Sequence, residues 1–206
     1  MTDTMYHEGN RALQERFDTR RLADRLGEAI VKDHFDPHDK AFIEVLDMFF
    51  LATVDADGHA NCSYKGGEPG FVRVVDAHTL AFPNYDGNGM YLSMGNLAET
   101  RQIGMLFINF EEQHRMRVNG EASIDPNDPL MAEYPEAQFI VRVTPREVFP
   151  NCPRYIHKYQ LVERSRFVPK DACDTPVPAW KKGDWVADVL PEQDPARAQD
   201  REVVDR

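Results

Sequence analysis

Three features of this chain have the residue types and spacing to hold an anion. The run Pro83-Asn84-Tyr85-Asp86-Gly87-Asn88-Gly89 is dense in turn residues and leads into a helix-like stretch near Met90 to Thr100. Glycines let a backbone turn its N–H groups toward a ligand, and a helix N-terminus adds partial positive charge. Such a loop can cradle a phosphate. It is neither a Walker loop nor GxGxxG, and the same residues suit a plain connection needing positive φ. Asp86 opposes a phosphate unless its carboxylate points away or caps the helix. Lys65 ends a strand-like run just before Gly66-Gly67. Its ammonium can reach a phosphate while the glycines clear space; as a solvated strand end it would need no partner. Arg115 and Arg117 flank Met116, so on a strand they share a face. A guanidinium pair can bind a dianion bidentately, or be neutralised by Glu111, Glu112 or Glu121.

Other chemistries find less to stand on. His34 and His38 have the i,i+4 spacing of a metal pair, but Pro37 falls between them, so surface or capping roles are expected and no metal site. There is no nucleophile elbow, no HExxH and no paired-carboxylate pattern, which leaves a hydrolase unsupported. The three cysteines, Cys62, Cys152 and Cys173, form no CxxC or zinc spacing, and the odd count fits a reducing cytoplasm.

The elements that must position these residues read as follows. Glu8 to Lys32 carries apolar residues at spacings of three to five, the pattern of one amphipathic helix or two short ones. A further helix is expected from about Asp39 to Asp47. Met48 to Val54 reads as a strand, Asp55-Ala56-Asp57-Gly58 as a turn, and His59 to Tyr64 as the returning strand. Phe71 to Val75 and Thr79 to Phe82 continue a meander of short strands. Ile103 to Phe110, His114 to Ile124 (interrupted by Gly120) and Phe139 to Phe149 follow. Asn61 and Ser63 alternate with Cys62 and Tyr64; facing inward they would need polar partners. The fold class is therefore α+β: N-terminal helices over residues 1–47, a barrel of about six strands over 48–150 with one inserted helix, and an irregular, proline-rich extension over 151–206. Pro191 to Arg206 is expected to be a frayed tail.

The bulk numbers set limits. At 206 residues the chain is expected to form one domain with extended ends. A formal net charge of −11 argues against a nucleic-acid or anionic-membrane partner, since both reward positive fields. No apolar run approaches about 18–20 residues, so no membrane span is expected, and the N-terminus lacks the apolar core of a signal peptide.

The order of the features carries more than any one of them. FFLATVDADGHANCSYKGG, then PGFVRVVDAHTLAFPNYDGN, NLAETRQIGMLFINF and RMRVNGEASI resembles the pyridoxamine 5'-phosphate oxidase-like family, and within it a branch of probable FMN-dependent enzymes. YHEGNRALQ and FPNCPRYI resemble that branch too. The resemblance implies a flavin mononucleotide (FMN)-binding split β-barrel that forms a homodimer, with FMN at the subunit interface. It implies that Ser63, Tyr64, Lys65 and Gly66 line the flavin or its phosphate. Phe82, Pro83, Asn84 and Tyr85 would do likewise, with Asn88 near the phosphate, and Arg115 would reach the flavin of the partner subunit. The chain also departs from true pyridoxamine phosphate oxidases. Those have an arginine where Ser63 stands, basic residues where Asn88 to Met90 stand, and a C-terminal tryptophan- and arginine-bearing motif; here Trp180 and Trp185 lie in AWKKGDW. These departures predict flavin binding without efficient vitamin B6 oxidation.

The expected activity is thus that of an FMN-dependent oxidoreductase acting on a small molecule, with NAD(P)H or a deazaflavin as possible redox partner. No acid or base stands out as catalytic. On the substrate side the candidates are Cys152 and Tyr155, which otherwise read as a small buried hydrophobe and a core aromatic. Rival readings are a flavin carrier or sensor without turnover, a haem-binding or haem-degrading split barrel, and a dimer that has lost its cofactor.

Overall fold

The computed structural model describes residues 5–171, 173–198 and 201–205. The N-terminal stretch forms two short helices, α1 (Glu8–Arg16) and α2 (Arg20–Ile30), neither of which buries a residue. The next helix, α3 (Pro37–Glu44), begins two residues before the expected Asp39 and stops short of Asp47. Pro37 opens this helix rather than lying outside it. A proline in the first turn loses no hydrogen bond, because that N–H has no helical partner anyway. Asp36 caps the helix, accepting from the N–H groups of His38 and Asp39, while the Asp39 carboxylate accepts from Asp36 N–H. Lys32 bonds both carboxylates and joins its backbone to Val148 in the barrel, which anchors this segment.

The barrel is one antiparallel sheet of seven strands, against about six expected. In chain order these are β1 (Met48–Val54), β2 (Ala60–Gly66), β3 (Arg73–Asp76), β4 (Thr79–Asn84), β5 (Gln102–Asn109), β6 (His114–Asp125) and β7 (Phe139–Pro150). Their spatial order is β2-β1-β5-β6-β7-β4-β3. Helix α4 (Leu92–Thr100) is the inserted one, crossing from β4 to β5. The result is the mixed α+β split barrel expected. Alternation drives it: Phe49 and Leu51 of β1 point inward, as do Ile103, Met105 and Phe107 of β5. The rings of Phe82 and Phe107 lie 5.1 and 5.3 Å from that of Phe49, in geometries that favour aromatic pairs. Gly120 marks a bulge between β6 and β7; a Cβ there would fall 2.1 Å from the Thr144 carbonyl oxygen, so only glycine lets the strands approach.

Two expectations are corrected. Pro83 and Asn84 belong to β4, not to the loop after it, and pair with Ile140 and Phe139. Pro83 is tolerated because β3 pairs no further than Ala81, so one side of the strand carries no ladder there. The described residues of the expected tail, 191–198 and 201–205, are also not frayed; residues 199, 200 and 206 lie outside the described residues. Val177–Pro178 and Val203–Val204 form a short parallel pair, β8 and β9, and Asp194 and Ala196 are buried. Side-chain-to-backbone bonds hold this region, such as Lys182 to the carbonyls of Ala196 and Ala198. Among the described residues no helix is long and apolar enough to cross a membrane.

Candidate functional site

A cavity of about 710 Å³ opens where β2, the end of β4 and the end of β5 meet the segment after the barrel. It gathers Tyr64, Lys65, Gly66, Pro83, Asn84 and Tyr85 from the residues singled out in the sequence. The local sequence explains the opening. Gly67 donates its N–H to the Asp47 carbonyl, and a Cβ on it would sit 2.3 Å from the Phe71 ring. Glycine therefore lets Phe71 close the core directly beneath the strand end that carries Lys65.

Of the two cations that line this cavity, Arg164 is paired with Asp47 and Lys65 is not paired among the described residues. Lys65 is half-buried, and among the described residues its ammonium has no hydrogen bond and no ion pair. Burial alone pushes its pKa down. A desolvated cation without a counter-charge is costly unless an anion arrives to meet it. Tyr85 lies across the same space, and burial pushes its phenol up to about 12. It stays protonated at neutral pH and can donate a hydrogen bond. Asn84 is already engaged, donating to Gln138 Oε1 at 2.9 Å and to the Tyr85 carbonyl.

The objection raised by Asp86 is answered by its partner. Its carboxylate is turned to Lys181, 2.5 Å away, which also bonds Asp194 at 2.9 Å. The exposed loop beyond it turns through Gly89 and Tyr91, both at positive φ. Tyr91 caps α4 without any side-chain bond, so the first N–H groups of that helix have no side-chain acceptor at their N-cap.

The remaining predicted residues lie elsewhere. Ser63 and Asn61 face α4, where both meet the Ser93 hydroxyl at 3.0 and 2.8 Å; this is their polar partner. The Phe82 ring is in the core. Asn88 borders a second cavity and accepts from Met90 N–H. Arg115 lines neither cavity of its own chain; its Nε is buried without a hydrogen-bond partner, while Arg117 is exposed. The core reading of Cys152 and Tyr155 fails: both are exposed, Tyr155 at 91% with φ of 73°. The Cys152 thiol is pulled down by the Arg154 backbone N–H and by Arg154 Nε, 3.2 Å from Sγ. His34 pairs with Asp33, and no cluster of three or more metal-binding side chains occurs among the described residues.

One wall of the cavity was not foreseen. Residues from 159 to 169 line it: Tyr159 packs on Phe110 with ring centroids 5.2 Å apart, Leu161 N–H bonds Glu111, and Arg164 pairs with Asp47. The only sequence signal was aromatic and aliphatic residues recurring in an otherwise polar, non-periodic stretch.

Comparison with curated proteins finds no match. Among solved structures, HupZ of Group A Streptococcus aligns at 16% identity over 61% of this chain and 99% of its own, with a TM-score of 0.46. An FMN-binding protein from Syntrophomonas wolfei aligns at 15% identity over 68% and 97%, with a TM-score of 0.43. The haem storage protein HutZ from Vibrio cholerae aligns at 19% identity over 55% and 92%, with a TM-score of 0.41. The sequence model of the pyridoxamine 5'-phosphate oxidase family matches residues 35–162, from the cap of α3 through the whole barrel. That match covers more than half of the sequence, and the chain belongs to the pyridoxamine 5'-phosphate oxidase family.

Proposed function

We propose that this protein is a homodimeric FMN-dependent oxidoreductase whose organic substrate is not a vitamin B6 phosphate. The observation that carries the reading is Lys65, a half-buried cation unpartnered among the described residues, in a cavity of about 710 Å³, within the range of about 300–1,000 Å³ usual for small-molecule sites. The donor set fits FMN: an ammonium for an anionic group, a protonated phenol at Tyr85, and apolar walls from Phe71, Ile108 and Phe110 for a flat ring. Bound FMN would supply the hydride or electron transfer. The chain's own part is to bind, orient and shield. Lys65 neutralises negative charge, Tyr85 donates a hydrogen bond, and residues 159–169 limit the access of water.

A second copy of the chain is part of this reading. The outer edges of β2 and β3 have no sheet partner among the described residues, and exposed edges favour pairing or covering. Arg115 keeps a buried, unpaired Nε, and Tyr155 is left exposed in a left-handed conformation that costs a bulky residue energy. In this dimer the partner covers the exposed Tyr155 ring, and the Arg115 guanidinium reaches the other subunit's flavin. The proposed location is the cytoplasm, in keeping with three exposed, unbridged cysteines. The electron donor is NAD(P)H or a deazaflavin.

The visible spectrum of the purified protein tests the cofactor. A yellow protein releasing FMN, and not FAD, on denaturation is expected. A colourless protein that leaves added FMN fluorescence unchanged would overturn the reading. Anaerobic mixing with NAD(P)H or a reduced deazaflavin separates an enzyme from a carrier: bleaching of the flavin band is expected, and no bleaching with either donor favours a non-catalytic flavin protein. Pyridoxamine phosphate should be oxidised poorly if at all.

A further inference from the structure

A second cavity, of about 630 Å³, lies beside the first and shares Tyr85, Asp86, Gly87, Phe167 and Pro169 with it. Most of its wall comes from residues 167–205, beyond the stretch that matches the family. Its surface is chiefly apolar, with Trp180, Phe167, Val177 and several prolines around the space.

The charges in the wall decide what it can hold. Four carboxylates border it, Asp86, Glu136, Asp194 and Asp205, against two cations, Lys181 and Arg201. Both cations are already committed. Lys181 bonds Asp86 and Asp194, and Arg201 bonds Glu136, Asp174 and the Thr175 carbonyl. Asp205 is in no ion pair among the described residues, and the Asp86 side chain remains half exposed. The first cavity has a similar excess of carboxylates; what separates the two is Lys65, a free cation that the second lacks. An anion entering the second cavity would meet carboxylates and find no cation to spare. An organic cation would meet an unpaired carboxylate and the Trp180 ring, which is 41% exposed.

We propose that the second cavity is a separate binding site for an organic cation, an ammonium or guanidinium group on an apolar or aromatic body. Binding there does not depend on the FMN reading; only its standing as a site next to the cofactor does. Calorimetric titration with three probes of one ring system tests it: 2-naphthylmethylamine, naphthalene-2-methanol and 2-naphthoate. Each is titrated into the full-length protein without FMN and again with FMN in excess. The amine should bind about tenfold or more tighter than the naphthoate, with the alcohol between them. Trp180→Ala should weaken the amine about tenfold, and Asp205→Asn, at an exposed position, should narrow the amine-to-naphthoate ratio about threefold while leaving the alcohol unchanged. Absence of binding by all three probes overturns the proposal. So does naphthoate binding as well as the amine, or an amine affinity indifferent to both substitutions. Competition between FMN and the amine also overturns it, since the cavity would then be part of the flavin site. A protein that ignores FMN but ranks the probes as expected leaves this proposal standing and removes only the flavin reading.

Discussion

Lys181 and Asp86, 95 residues apart in the chain, meet at 2.5 Å, and the same ammonium holds Asp194 at 2.9 Å. The side chains of Lys181 and Asp194 are each 5% exposed. Burial by itself would lower the Lys181 pKa and raise that of Asp194; their mutual bond, with Asp86 on the lysine and the Ala196 N–H on the aspartate, reverses both, leaving lysine above and aspartate below their ordinary values. The contribution of Asp194 is present above the ordinary carboxylate pKa and is lost as pH falls through its lowered value. That of Lys181 is present below the ordinary lysine pKa and is lost as pH rises through its raised value. The clamp therefore holds across neutral pH. Lys181→Met leaves two carboxylates facing each other without a cation, and removing one partner of a buried pair costs about 3–5 kcal/mol. The expected outcome is faster proteolysis within residues 170–198 and weaker FMN binding as Asp86 is released toward the first cavity. Cleavage mapped by mass spectrometry and FMN fluorescence check it; an unchanged pattern in both would show that the clamp holds nothing.

Lys65→Ala should weaken FMN far more than riboflavin. A charge-assisted bond to phosphate contributes about 1.5–3 kcal/mol, or about one to two decades in affinity. An ammonium has little to offer the neutral ring or ribityl chain. If Lys65 instead faces the ring edge where reduced flavin gathers negative charge, both ligands lose similarly and the reduction potential falls. Titration of both ligands and a potentiometric measurement on one variant distinguish the placements. Negligible change in all three quantities removes Lys65 from the site.

Light scattering should give a mass about twice the 23.6 kDa of the chain. Arg115→Ala should weaken FMN about tenfold or more, although Arg115 lines neither cavity of its own chain, if its target is the partner subunit's flavin as proposed. A monomeric mass with flavin bound, or an Arg115→Ala protein that binds FMN as before, contradicts that geometry.

Cys152 should react with iodoacetamide at lower pH than an ordinary thiol. The Arg154 backbone N–H and guanidinium stabilise the thiolate, with a further Coulombic contribution from Arg115. Peptide mapping of alkylation against pH measures the midpoint. Arg154→Ala should move that midpoint upward, and a midpoint insensitive to the substitution would remove the guanidinium from the account.

Strands are where the sequence spoke most directly. Met48–Val54 is bounded as read, because a β-branched and aromatic run followed by Asp-Ala-Asp-Gly is a local signal and needs no distant partner. The α+β order and the break in alternation at Gly120 were legible for the same reason, though not that the break is a bulge. So was Lys65 as a candidate, though not its isolation: whether a strand-end lysine is solvated or stranded depends on what packs around it. Pro83 and Asn84 read as loop, since residue type alone marks proline and asparagine as turn formers; pairing with β7 beyond the end of β3 made them strand. The cavity walls came from further away still. Residues 159–169 and Lys181 show no periodicity, and they are placed by a ring contact with Phe110 and by ion pairs to Asp47 and Asp86. Local alternation reports how a segment meets a layer, whereas an ion pair closing across 95 residues leaves no trace in the spacing of either partner. The sequence by itself thus determined the barrel and the strand end that carries the charge. Only the tertiary structure decided that this charge has no ion-pair partner among the described residues, that Asp86 is paired with Lys181, and that the C-terminal segment lines two cavities.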